Sequence, residues 1–259
     1  MHSQNNILQW NINGLRGKCT QLQCLLGKYN PNIIALQETK LPPNITYEIK
    51  KNKFHNFHKN GAAHGGGVAL YISKNLPTKE VQLQTNLEAV AATVWYQHTK
   101  MTACSLYLNP DIPFPINDFI ALLDELPSPY LILGDFNCKN SLWGSPRVVA
   151  NEPIAYRRGT DLLNIIEPRQ LHILNTGRPT RVQLRNQTYS HIDLSIGSPE
   201  ICTNFNWNTE PNPHGSDHLP IIVSNFLIIC IRTNPPDGIS KGPHKLTGKT
   251  TKIQLTSPK

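Results

Sequence analysis

Short apolar runs closed by polar residues recur through most of the chain, alternating with stretches of helical spacing. Ile7–Ile12 reads as a buried strand that ends at the turn Asn13-Gly14. From Leu15 to Tyr29 the spacing is helical, with Leu22, Leu25 and Leu26 on one face, and Asn30-Pro31 stops it. Ile33–Leu36 resumes as a strand closing in Gln37-Glu38-Thr39. A Lys-rich loop is expected over residues 50–59, and the glycines Gly65–Gly67 make a tight turn into the strand VALYIS. AVAATVWY and MTACSLYLN read as further strands. Ile116–Leu126 is predicted as an amphipathic helix with Phe119, Ile120, Leu123 and Leu126 inward, followed by the strand LILGDFN. The second half repeats the rhythm. Thr160–Ile166 is predicted helix, LHILN and HIDLSIG are predicted strands, and Ile201–Thr209 and Leu219–Ile229 are the last two. Strand–helix–strand alternation of this kind predicts an α/β protein.

Beyond that the pattern collapses. One domain over residues 1–229 and a basic, disordered tail over 230–259 is the economical division, because the tail has Pro, Gly, Lys and Thr without periodicity. The tail also changes the meaning of the net charge of +8. Residues 232–259 hold six Lys/Arg against one Asp, which leaves 19 basic and 16 acidic side chains in the body. Charge therefore does not by itself identify a polyanionic partner. The tail offers salt-sensitive attraction to phosphate backbones or simply solubility. The 39% hydrophobic share supports a substantial core. The six cysteines contain no CxxC pair and several sit inside apolar runs, where the side chain acts as a small hydrophobe. The polar start MHSQNN and the short longest apolar run, Phe226–Ile231, point to an intracellular protein that is neither secreted nor membrane-bound.

The chemistry lies where strands stop. Asn11, Glu38, Tyr107, Asn109, Asp135, Asn137, His191, Asp193, Asp217 and His218 each end or adjoin an apolar run. An open sheet gathers strand ends along one edge, so such groups can converge although they are far apart in sequence. Acids and amide oxygens without cysteine form a hard-oxygen environment suited to Mg²⁺ or Mn²⁺. Asp135 with Asn137, and His218 supported by an acid such as Asp193, supply a base for water and donors for a phosphoryl group. Each has a bland alternative. Glu38 could cap the following segment, Asn11 could bond a turn backbone, and Tyr107 alone suits a core aromatic with a wet hydroxyl. Asp193 is more telling, since an acid inside an apolar strand needs a partner. The sequence does not choose between Asp135 and His218 as the base. In the Lys-rich loop, Lys51 and Lys53 suit either a nucleic-acid backbone or a solvated face.

The segments ILQWNINGLR, IIALQETKL, GGGVALYI, SLYLNP, LILGDFN, HIDLSI and GSDHLPI occur in an order that resembles the endonuclease/exonuclease/phosphatase superfamily. Abasic-site repair endonucleases and pancreatic-type deoxyribonuclease belong to that superfamily. The resemblance implies a four-layer sandwich of two packed mixed β-sheets flanked by helices. It implies Glu38, Asn11 and Asp217 around the metal, Asp135 on the attacking water and Asn137 on the same phosphate region. It further implies His218 as donor to a phosphate oxygen, Asp193 orienting it, and Tyr107 as an added hydroxyl. NCKNSLWGS after GDFN, RRGTDLLNIIEPRQLHILNTGRPT and HIDLSIGSPEI resemble, within the superfamily, the endonuclease domain of jockey-type non-LTR retrotransposons. The implied function is Mg²⁺-dependent nicking of double-stranded chromosomal DNA, in the nucleus and without a small-molecule cofactor, leaving a 3′-hydroxyl. The reverse transcriptase of such elements is not within this sequence. Asn109, Trp143, Lys51 and Lys53 are the expected DNA contacts. Asn13 stands where repair members carry Asp, which weakens a second metal position. Rival readings are an abasic-site, RNA or phosphomonoester hydrolase on the same scaffold, or a silent remnant that binds nucleic acid. Oligomeric state and target sequence are not encoded legibly.

Overall fold

Strands buried on both faces build the molecule in layers. The computed structural model describes residues 6–50, 52–61, 65–97, 99–146, 153–183, 185 and 187–225. In chain order the first half contains β1 (Asn6–Asn11), α1 (Cys19–Tyr29), β2 (Ile33–Gln37), β3 (Phe54–Lys59), β4 (Val68–Ser73), β5 (Thr78–Val81), β6 (Glu88–Tyr96) and β7 (Thr99–Tyr107). Then follow α2 (Ile116–Glu125), β8 (Tyr130–Asp135), α3 (Pro153–Ile166), β9 (His172–Ile173), β10 (Arg181–Gln183) and β11 (Thr188–Ser190). The last elements are β12 (Asp193–Gly197), α4 (Pro199–Cys202), β13 (Phe205–Thr209) and β14 (Ile221–Asn225).

Two six-stranded sheets form, ordered β13-β14-β1-β2-β4-β3 and β5-β6-β7-β8-β12-β9, with β10 and β11 as a separate pair. Each sheet is mixed, because β1–β2 and β7–β8 are parallel and their other neighbours antiparallel. A parallel pair needs a crossover, and α1 and α2 provide the two.

The period of two decides which layer each side chain enters. Ile7, Ile33 and Ala35 join Ala103, Leu131 and Leu133 between the sheets. Their neighbours Leu8 and Ile34 face outward onto Leu22, Leu25 and Leu26 of α1. On the far side Leu106, Ile132, Leu194 and Ile196 pack with Phe119 and Leu122 of α2 and Leu162 and Ile165 of α3. The result is the expected α/β/β/α sandwich. Helix α3 starts well before Thr160, and its Gly159 lets it press on the chain beyond Asn137. A Cβ at Gly159 would lie 2.1 Å from the Lys139 carbonyl oxygen.

Polar ties cross the apolar interior of the sandwich. Gln9 donates to the carbonyls of Gly134 and Leu194 at 3.1 and 3.2 Å. Gln37 donates to the Leu133 carbonyl and Ser105 Oγ, both at 3.0 Å. Buried amides without partners would be costly, so these bonds favour one alignment of the two sheets. That alignment brings the ends of β1 and β2 opposite the ends of β8 and β12.

Three local expectations fail. Residues 54–59 form the edge strand β3, with every residue half-buried, so no alternation betrayed it. Ile201 and Cys202 end a helical turn, and only Phe205–Thr209 is strand. LHILN shrinks to the two residues of β9. The expected tail over 230–259 lies outside the described residues, as does the end of the strand expected over Leu219–Ile229. Among the described residues, no helix is long and apolar enough to cross a membrane.

Candidate active site

Register explains why distant residues meet. Tyr107 and Asp193 are the strand partners of Asp135 on its two sides, so β7, β8 and β12 end level. In the other sheet Asn11 is level with Gln37, the residue before Glu38. Glu38 and Asn137 both have left-handed backbone, with φ of 48 and 49°. Non-glycine residues adopt it at some cost, and such strain is found at functional sites.

Asn11 links the two sheets' acids. Its Nδ2 donates to Glu38 Oε1 and to Asp135 Oδ2, both at 2.9 Å, and its side-chain Oδ1 accepts the Asn13 N–H at 3.1 Å. Asp135 Oδ1 accepts the Asn137 N–H at 3.0 Å, while Asn137 Nδ2 donates to the Leu108 carbonyl. Burial pushes the Asp135 carboxyl up, Asp193 adds to this, and His218, Asn11 and the Asn137 amide oppose it, leaving it at about 7.

His218 is buried between two acids. Its Nδ1 lies 3.0 and 2.9 Å from the two Asp193 oxygens, and its Nε2 lies 3.9 Å from Asp135 Oδ2. Burial alone would lower its pKa, but Asp193 above all, then Asp135 and Asp217, raise it to about 9. Asp193 is itself fixed by Thr180, whose Oγ1 accepts the Ile192 and Asp193 amides. Ser216 ties the histidine's loop to β1, accepting the His218 N–H and donating to the Asn11 carbonyl. Tyr107 is half-buried, and burial together with Glu38 and Asp135 holds its phenol in the neutral, donating form.

Ligand atoms of Glu38, Asp135 and His218 lie within 4.8 Å of one another and form a possible metal site. A protonated imidazole has no lone pair to give, so the oxygens of Glu38 and Asp135 are the donors that remain. This oxygen set fits a hard divalent cation. Asp217 stands apart, its two oxygens taken by Arg181 and Asn13.

Residues that the sequence did not mark complete the surroundings. Lys40 reaches Glu38 Oε2 at 3.0 Å and Asn13 Oδ1 at 2.6 Å. The glycine turn holds the backbone after Glu38, with Gly67 and Gly66 carbonyls accepting the amides of Thr39 and Lys40. A Cβ at Gly67, where φ is +85°, would lie 2.7 Å from Thr39 Oγ1. Glu88 accepts the Gly67 amide from the other side. Arg158 is buried and donates to the carbonyls of Ile112, Phe136 and Asn137, clamping the loop that carries Asp135 and Asn137. Arg158→Ala strands those carbonyls and is expected to cost about 3 kcal/mol, read as a lower urea midpoint at unchanged slope.

The expected DNA contacts divide. Asn109 is exposed on the site's rim, its side-chain oxygen accepting the Asp111 amide. Trp143 is a correction, because its ring is fully buried and its Nε1 donates to the Cys138 carbonyl at 3.3 Å. It supports the core below the site and has no surface to offer. Lys53 is exposed and set away from the acids. It precedes Phe54, which is paired with Ser73, whereas the site end of that sheet is where Val68 meets Gln37 and Lys59. Lys53 thus lies at the opposite end of the strands. Lys51 lies outside the described residues. A cleft of about 630 Å³ adjoins the cluster, lined among others by Asn137, Lys139, Arg181, Gln183 and Tyr189.

A family model described as "Endonuclease-reverse transcriptase" matches residues 101–222. The probable RNA-directed DNA polymerase from transposon BS of Drosophila melanogaster is 25% identical over 229 residues, 84% of this chain but 24% of that protein. Exodeoxyribonuclease III of Haemophilus influenzae is 29% identical over 156 residues, covering 52% of this chain and 58% of that one. Among solved structures, the endonuclease domain of TRAS1, a telomere-specific non-LTR retrotransposon, superposes with a TM-score of 0.68 at 21% identity. That match covers 86% of this chain and 99% of the other. By class, then, the chain has the fold of endonuclease/exonuclease/phosphatase proteins and is similar in sequence to nucleases. It is similar to the endonuclease domain of a non-LTR retrotransposon and to transposon RNA-directed DNA polymerases of Drosophila melanogaster, of which it spans about a quarter.

Proposed function

We propose that the chain is a Mg²⁺-dependent endonuclease of double-stranded DNA that leaves a 3′-hydroxyl and a 5′-phosphate. The observation that carries this reading is His218, held charged between Asp193 and Asp135 at the point where Glu38 and Asp135 offer oxygens to a cation. Glu38 and Asp135 would hold that cation. When bound, Mg²⁺ supplies positive charge against the phosphate oxygens and the leaving oxygen.

The residues of the chain divide the remaining work. Protonated His218 donates from Nε2 to a non-bridging phosphate oxygen, where charge grows as the water oxygen bonds to phosphorus. Asp135, the carboxylate that faces His218 Nε2, takes the water proton. The bond from phosphorus to the 3′ oxygen breaks with its electron pair passing to that oxygen, which takes a proton from solvent and departs as the hydroxyl. Asn11 keeps the two carboxylates in register, and Tyr107 adds a neutral donor. In a longer polyprotein acting on nuclear DNA, such a 3′-hydroxyl would prime reverse transcription.

The test is nicking of supercoiled plasmid with Mg²⁺ or with EDTA, followed by polymerase extension from the nick. Extension-competent nicks that need Mg²⁺ are expected. Faster turnover of abasic duplex, RNA or a soluble phosphomonoester, run in parallel, would overturn the choice of substrate. Plasmid nicking no greater than that of an Asp135→Ala control would overturn the activity itself.

A further inference from the structure

Arg181 opens β10 beside the cluster and has no part in the chemistry described so far. Its Nε and Nη2 donate to Asp217 Oδ2 at 2.9 and 2.8 Å, and Asn13 Nδ2 donates to Asp217 Oδ1 at 3.0 Å. The Asp217 carboxylate is therefore engaged through both oxygens, on one side by a permanent cation. The backbone makes this arrangement firm. Arg181 forms an antiparallel bridge with His218, the Val182 amide donates to the Asp217 carbonyl at 2.8 Å, and the Leu219 amide donates to the Thr180 carbonyl at 2.7 Å. The guanidinium and the imidazole thus ride on one paired stretch of chain.

Stability gives little reason for this pair. The Arg181 and Asp217 side chains are 41% and 30% exposed, and ion pairs so open to water contribute little. The guanidinium has five donors, and its bonds to Asp217 use two N–H groups. It also lines the cleft of about 630 Å³ that Asn137 shares. A planar fork held in place by a carboxylate suits an anion with several oxygens, such as a phosphodiester.

Resting on the reading of this site as a DNA phosphodiesterase, we propose that Arg181 binds a backbone phosphate adjoining the scissile one, and that Asp217 orients Arg181 and holds no second cation. The test uses the Asp135→Asn protein in EDTA, so that binding is measured without turnover or metal. Anisotropy of a labelled duplex is followed across a salt series. Arg181→Ala is expected to weaken binding roughly tenfold at low salt and to reduce the slope of log K on log salt by about 0.9, one phosphate contact. Arg181→Lys keeps the charge and is expected to keep the slope. If Arg181→Ala does not fold, Arg181→Gln retains much of the side chain and gives the same reading. A folded, uncharged variant with an unchanged slope overturns the proposal while leaving the nuclease reading intact, whereas a wild type that does not bind DNA overturns both. Mn²⁺ titration followed by electron paramagnetic resonance tests Asp217. Equal stoichiometry in wild type and Asp217→Asn is expected, and a site lost in the variant overturns the role given to Asp217.

Discussion

Replacing Asp135 by Asn is expected to slow plasmid nicking by about 10³-fold, within the range that general-base removal usually costs, without unfolding the protein. The amide has one acceptor oxygen, so it keeps one of the two bonds that seat the carboxylate, from the Asn137 amide or from Asn11, and loses the other. What it cannot do is take a proton from water. The carboxyl titrates in the fold at about 7, above its ordinary 3.8, chiefly because it is buried. A raised acid makes the native state hold its proton longer than the unfolded state, so stability falls as pH rises between the two values. The Asn variant lacks that penalty, and its melting temperature at pH 8 should equal or exceed the wild type's. In the metal-free wild type Asp135 should ionise at about 7; bound Mg²⁺ favours the carboxylate, so the nicking rate should already be at its plateau by pH 7 and fall through about 9 as His218 loses its proton. An Asn variant that nicks at the wild-type rate would remove Asp135 from the chemistry.

Asp193→Asn should cost about 10²- to 10⁴-fold at neutral pH, although Asp193 is not expected to touch the substrate. His218 is almost entirely enclosed, and enclosure alone lowers its pKa; Asp193 is the leading reason that it stands at about 9 instead. Without that charge the imidazole should be neutral at the pH of the assay, and the alkaline limb of the rate profile should move to lower pH. Stability carries the same signature. A histidine whose pKa rises from 6.5 to about 9 on folding stabilises the protein fully below 6.5, and this is lost as pH climbs through 9. The variant's urea midpoint should show little of that decline. Because the two residues act as a unit, Asp193→Asn combined with His218→Ala should be little worse than His218→Ala alone. An alkaline limb that stays in place would mean that Asp193 does not govern the histidine.

Much of this arrangement was legible in the chain. A mostly apolar run of five or more residues is a strong signal when a strand is buried on both faces, which is why β1, β2, β4, β7, β8 and β12 were found. Leu22, Leu25 and Leu26 face the core as their spacing required. β3 was missed because its residues are all half-buried on an edge. Trp143 looked like a surface aromatic because it follows GDFN in a polar segment, yet the turn at Asn140–Gly144 folds it inward. Arg158 and Arg181 drew no reading from the sequence, because no spacing rule marks an arginine whose partners are carbonyls or an acid far along the chain.

The sequence alone determined which residues close the strands, and with them the donor chemistry, because a buried strand must stop where its polar residues begin. Only the tertiary structure decided which of those groups share a site. Inter-sheet bonds from Gln9 and Gln37 favour the alignment of the two sheets, and strand register then places Asp193 next to Asp135. The same packing turned Asp217 toward Arg181 and Asn13 and left Glu38 with Asp135. Those assignments depend on distances across the fold, which no local pattern of residues records.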